Sequence, residues 1–381
     1  MVNMRRWVSA LAFAVMMLTL GPAAADAQND RVLDPTLHNS EEPGSLIVFP
    51  KFHRGRLGNG LAATTFEIGV VCPVQAAGNA SSFGCPFPQG TPVKLKLHWV
   101  CPATVQKGAA GFCYSQDFEL HTTVHGKVEF DASGRVTVGP FDLNGGIIPV
   151  PECLEGFLIA YVVDTVGRPI IFNCLIGEQV LRLRPGSASA YNGITFQAGL
   201  VSRNGSTDNG VAPAVVPIVD PGQVLRFDGV EYRRAPAQFA GDVRYEKLTA
   251  PPTLTFLTLL TLDVRANAFN PNIVAPVNFY RANEVPLSDT LHFTCWRQIR
   301  LTDINPNLTV GRMGPKGMIV STAPATVAAQ CTGPGCAPVG TPVTVLGIVT
   351  TLEDVPGAQR EYGYALFGVG PGVDTTFDPT P

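Results

Sequence analysis

Nine cysteines are the residues of this chain best able to do chemistry: Cys72, Cys85, Cys101, Cys113, Cys153, Cys174, Cys295, Cys331 and Cys336. Thiols in such number cross-link the chain, bind metal or act as nucleophiles. Neither C-x-x-C nor H-E-x-x-H occurs, so the usual redox and zinc spacings are missing. The spacing predicts local disulfides: Cys331 with Cys336, Cys101 with Cys113 and Cys72 with Cys85, each pair flanking a short segment that contains Gly or Pro. Cys153 with Cys174 is the remainder. An odd count leaves one thiol over. Cys295 alternates with Leu291 and Phe293, which predicts a buried free thiol there, inert and packed like a small apolar residue. His292, Thr294 and Trp296 then point outward, and Trp296 is the aromatic expected at the surface.

Other candidates are weaker. His121 and His125 share a strand face but stand about 13 Å apart along it, too far to hold one zinc ion directly. Residues 204–210, Asn-Gly-Ser-Thr-Asp-Asn-Gly, offer oxygen ligands but lack the acids and the closing Glu of a calcium loop. Asn79, Asn204 and Asn307 begin glycosylation acceptor triplets. Residues 186–190, Gly-Ser-Ala-Ser-Ala, miss the last glycine of a hydrolase nucleophile turn. No catalytic residue, metal ligand or cofactor site is assigned, and the ligand stays unknown.

The elements that must position these residues are strands. Period-2 alternation and short β-branched runs dominate, and 39 Gly and 33 Pro punctuate them. Strands are expected at 45–52, 64–71, 93–100, 118–124, 127–130, 156–163, 170–183 and 190–197. In the second half they are expected at 224–227, 254–264, 277–280, 290–301, 317–321, 343–352 and 362–368. Val93, Leu95, Leu97 and Trp99 share one face of a strand, while Lys94, Lys96 and His98 share the other, which is expected to be wet.

Residues 1–27 read as a secretory signal peptide: Arg5 and Arg6, an apolar run too short to cross a bilayer, then Ala25-Asp26-Ala27. The mature chain is expected to start at Gln28 and to work in the periplasm or outside the cell. A net charge of −3 leaves no electrostatic footprint for nucleic acid, and no second apolar segment suggests membrane insertion.

The two halves echo each other. Thr65-Phe66 matches Thr255-Phe256, Leu120-His121 matches Leu291-His292, Gly156-Phe157 matches Gly317-Met318, and Gly177 matches Gly347. Tyr191, Phe196 and Gly199 match Tyr362, Phe367 and Gly370. The expected fold is all-β: two tandem, duplicated, antiparallel β-sandwich domains of immunoglobulin-like type. The expected boundaries are a leader at 28–43, domains at 44–201 and 223–370, a linker at 202–222 and a polar tail at 371–381.

Gly44-Ser45-Leu46-Ile47-Val48-Phe49-Pro50, Gly156-Phe157-Leu158-Ile159-Ala160 and Asn173-Cys174-Leu175-Ile176-Gly177 resemble segments of uncharacterised secreted bacterial β-sandwich proteins. That resemblance implies no activity. The expected function is therefore non-enzymatic: a structural, adhesive or assembly protein that meets a protein or polysaccharide partner through its surface. The alternatives are a hydrolase with a site on loops and a carbohydrate-binding module with aromatics on a concave sheet.

Overall fold

The computed structural model describes residues 42–57, 60–71, 89–102, 113–138, 148–182, 187–198, 224–229, 231–265, 272–281, 283, 285–328, 338–355 and 358–378. The signal peptide, nearly all of the leader, the linker 202–222 and Cys72, Cys85, Cys331 and Cys336 lie outside these residues. The fold is all-β, with sheets antiparallel except for one short parallel strand pair and, among the described residues, two one-turn helices at Leu301–Ile304 and Val310–Met313.

The first half carries β1 (Leu46–Leu57), β2 (Gly60–Ala63), β3 (Thr65–Val70), β4 (Pro92–Pro102), β5 (Cys113–Thr123), β6 (Lys127–Asp131), β7 (Val136–Val138), β8 (Glu155–Val163), β9 (Leu175–Leu181), β10 (Ser189–Asn192) and β11 (Ile194–Phe196). The second carries β12 (Leu225–Phe227), β13 (Ala235–Arg244), β14 (Thr253–Leu260), β15 (Val264–Arg265), β16 (Ile273–Arg281), β17 (Pro286–Phe293), β18 (Trp296–Arg300), β19 (Lys316–Ser321), β20 (Thr326–Val327), β21 (Leu346–Val355), β22 (Ala358–Ala365), β23 (Phe367–Val373) and β24 (Thr375–Asp378).

Two sheets of the first half, β11-β1-β8-β4-β5 and β10-β9-β3-β6-β7, share one apolar core. Phe66, Trp99, Phe118 and Phe130 meet there with ring centroids 5.3–6.1 Å apart, distances at which aromatic pairs attract beyond their burial. In the second half β23-β13-β19-β16-β17 and β22-β21-β14-β18 share another core. The two large sheets order their main strands alike, and so do the two smaller ones, except that β7 has no counterpart beyond β18. A third sheet, β12-β24-β15, belongs to neither pair.

Register supports several of the echoes. Leu97 pairs with Ala160 and Phe118, as Val277 pairs with Ser321 and Asp289. Counting along these strands sets Gly156 opposite Gly317 and His121 opposite His292. Both glycines are required by close approach: a Cβ on Gly156 would overlap the carbonyl oxygen of Val100, and one on Gly317 that of Tyr280. Aligning Gly177 with Gly347 matches Phe66 to the core residue Leu257 instead of Phe256. Phe196 likewise matches Val369 and not Phe367.

Three differences from the sequence reading have plain causes. β13 went unseen because Ala235, Pro236, Ala237 and Gly241 have poor strand propensity. The single strand expected at 290–301 is broken by a bend at Thr294–Cys295, so the facing of every later residue is reset. Residues 371–378 are not a polar tail: β23 runs to Val373, and β24 follows with Phe377 fully buried.

Gly156→Ala and Gly317→Ala are each expected to cost about 1–3 kcal/mol, the scale of forced overpacking. Gly167→Ala meets no neighbour and carries only the strain of its positive φ, about 1 kcal/mol. Urea unfolding of the three variants measures the difference.

Candidate functional site

Several chemically capable groups gather at the seam between the halves. β8 is buried along nearly its whole length, on both faces. One face feeds the first core. The other, with Phe157, Ile159 and Tyr161, joins Leu46, Val48, Ile194 and Phe196 in a separate cluster. Residues of the second half complete it: Phe227, Leu260, Val264, Trp296, Leu346 and Phe377.

A disulfide crosses this seam. Cys113 bonds Cys295, with Cα atoms 6.2 Å apart and a sequence separation of 182. Cys101 bonds Cys153, Cα to Cα 5.7 Å. The expected pairs Cys101–Cys113 and Cys153–Cys174 are thus corrected, and Cys295 is not the free thiol. Cys174 is the free cysteine among the described residues; it is buried, and desolvation pushes its thiol up to about 12. The local rule failed because Cys101 and Cys113 project from opposite faces of their sheet. Cys101 belongs to the first core and Cys113 to the seam.

Trp296 is buried as well, and its Nε1 donates to the Pro50 carbonyl at 3.0 Å. The bend before it turns the ring inward. His98 is likewise not on a wet face. It is buried beside Tyr161, its Nε2 3.0 Å from the tyrosine hydroxyl, and Phe377 meets its ring edge-on. Desolvation, helped by Lys96 and opposed by Asp117, holds His98 down to about 3, so it is neutral.

Lys51 is the least expected member. It follows Phe49 and Pro50, where the register of β1 against β8 shifts, and it is fully buried. Its Nζ donates to Gln298 Oε1, across the seam, at 2.5 Å. Gln179 Nε2 donates to the Lys51 carbonyl at 2.7 Å and to the Tyr191 hydroxyl. Glu361, buried, accepts from Ser189 Oγ at 3.0 Å. Burial lowers Lys51 to about 8, while the carboxylates of Glu155 and Glu361 pull the other way. A cation drawn out of water with a neutral amide as its hydrogen-bond partner is costly to bury.

His53 Nδ1 lies 3.1 Å from Glu155 Oε1, the base-and-orienter half of a hydrolytic triad. The hydroxyl nearest it in the hydrogen-bond network, Thr64 Oγ1, bonds the His53 backbone and not its ring. His121 lines a cleft of about 630 Å³ at one end of the first sandwich, above Val93, Val162 and Phe172. The bases on the cleft's rim are engaged: Lys94 with Glu119 at 2.8 Å and Arg168 with Asp164 at 2.7 Å. His125 sits in the turn after β5 with φ 63°. Among the described residues no three His, Cys, Asp or Glu side chains are grouped to hold a metal. Residues 204–210 lie outside the described residues.

No family model matches the chain, and no curated protein matches it. Among solved structures, the major pilin of Streptococcus pyogenes is similar at 12% identity, over 83% of this chain and 96% of the pilin, with a TM-score of 0.16. A mutant of the same pilin gives 12% identity over 83% and 97%, also at 0.16. A likeness that slight carries no argument about this chain. No helix among the described residues is long and apolar enough to cross a membrane. The disulfides point to an oxidising compartment.

Peptide mapping without reduction is expected to recover Cys113 linked to Cys295. Changing both to Ser is expected to remove up to about 5 kcal/mol, the loop-closure estimate for a span of this length. Lys51 supplies a pH signature. Its folded value, about 8, lies below the ordinary 10.5, so between these values the unfolded chain holds the extra proton and stability rises with pH. The full rise is about 3 kcal/mol. Urea unfolding at pH 7 and pH 9.5 is expected to show part of this rise in the native chain and to lose it in Lys51→Met, where the raised Cys174 thiol instead makes stability fall with pH.

Proposed function

We propose that this chain is a secreted, non-enzymatic structural protein of two tandem, duplicated, immunoglobulin-like β-sandwich domains, acting through surface contacts with a protein or polysaccharide outside the cell. The seam carries this reading. An apolar cluster, a disulfide spanning 182 residues and a buried Lys51–Gln298 bond all join the halves. Such cross-linking restricts relative motion of the two units, which suits a component that transmits force or holds a spacing. The same groups are poorly placed for catalysis, because Lys51, His98 and Tyr191 are closed off from solvent. The shared strand order supports the duplication.

Cell fractionation tests the reading. The chain is expected in the envelope or the culture supernatant, oxidised at Cys113 and Cys295, and inert toward chromogenic esters, peptides and glycosides. A cytoplasmic, reduced chain overturns the secreted role. Turnover that disappears in His53→Ala overturns the non-enzymatic one.

A further inference from the structure

The two halves treat one and the same sheet face differently. In the first half a row of directly paired residues runs across the outer face of β5, β4, β8, β1 and β11: Asp117, His98, Ile159, Val48, Ile194. Ile159, Val48 and Ile194 are wholly or almost wholly buried in the seam. The corresponding row on β17, β16, β19, β13 and β23 is Ser288, Asn278, Val320, Ala240, Phe367. There Val320 and Ala240 are only partly buried, and Phe367 is 66% exposed. One step along, Val100 and Phe157, both sealed in the seam, correspond to the half-buried Tyr280 and to Met318, 47% exposed. On the other side Phe196 corresponds to the half-buried Val369. The second half thus keeps apolar side chains at positions whose counterparts are covered, and leaves them in water. An aromatic, a methionine and valines contiguous on one sheet face are an interaction surface, not scattered exposure.

We infer that this face, with Phe367, Met318, Val320 and Tyr280 at its heart, pairs with the same face of a second copy of the chain about a two-fold axis. The inference rests on the duplication proposed above. Charge selects this geometry over a head-to-tail stack. Repeating between copies the relation that joins the halves would lay the outer face of β6, β3 and β9 on this surface. That face carries Glu67, Glu129 and Glu178 with Lys127. Carboxylates pressed onto Met318 and Phe367 lose their hydration without gaining partners. In the second half the positions matching those acids are Thr258, Gln298 and Ile348, which suit a covered face.

Self-pairing meets no such penalty. The exposed charges that β13 and β19 place here are one of each sign, Asp242 and Lys316, so a two-fold can set them against each other. An isologous contact also closes at two copies. It lacks a covalent link, since none of the residues named on this face is a cysteine. The dimer is therefore reversible and concentration-dependent.

Sedimentation velocity of the chain 28–381 over a concentration series tests this. A monomer–dimer equilibrium is expected, weakened about tenfold or more by Phe367→Glu or Met318→Glu, with the thermal midpoint of each variant unchanged as the check on folding. Glu67→Gln, Glu129→Gln and Glu178→Gln together are expected to leave it unaltered. Val320→Cys is expected to cross-link to itself under mild oxidation, a signature of an isologous contact. A monomer at every concentration overturns the inference. So does a ladder of larger species sensitive to the three Glu→Gln changes, which would show head-to-tail stacking. A monomer still found at the envelope leaves the structural role standing, whereas a dimer recovered in the cytoplasm does the reverse.

Discussion

β8 is apolar on both faces, and the architecture follows from that constraint. A strand of this kind needs cover on two sides. The first core supplies one side. The other can be closed only by bringing residues from beyond 220 back across the first half. Phe227, Val264 and Phe377, one from each strand of the small third sheet, do this together with Trp296 and Leu346. Burying each large side chain contributes about 1.5–3 kcal/mol, so the seam has the energetics of a core and not of a linker contact. The disulfide between Cys113 and Cys295 then fixes an arrangement that packing already favours.

Within this dry seam the polar groups follow strict accounting. Lys51, Gln298, Gln179 and Tyr191 are joined by hydrogen bonds that link three sheets. Glu246 in the second half shows the better-compensated alternative: fully buried, it meets Arg300 through two close contacts and Thr302 through a third. Among the described residues Lys51 has no carboxylate in direct contact, and burial dominates its titration. His98 keeps Nδ1 without a protein partner among the described residues, consistent with a neutral ring wedged between Tyr161 and Phe377.

Much of the fold was legible in the sequence, and far less of the seam. The face of Val93, Leu95, Leu97 and Trp99 was readable because alternation reports which side is apolar. Gly156 and Gly317 could be matched as the first residues of echoing segments, whereas the carbonyl oxygens that exclude a Cβ there show only in the structure. Facing toward a distant partner is another matter. Alternation could not say that His98 would lie under Phe377, nearly 280 residues away, or that Trp296 would turn inward after a two-residue bend. The cysteines mislead for a related reason. Spacing measures distance along the chain, whereas Cys101 and Cys113 are separated by the thickness of a sheet.

The position of β24 has a consequence for biogenesis. Its residues, 375–378, pair with β12 and β15 and put Phe377 over His98. The first half is synthesised long before them, and the cover over His98 waits until they arrive. A chain made from its N-terminus therefore holds Phe157, Ile159 and Tyr161 unsheltered until residues beyond 220 follow, available to any sticky neighbour. The final strand completes the seam, so the last step that shields the protein from aggregation comes at the end of synthesis instead of the beginning.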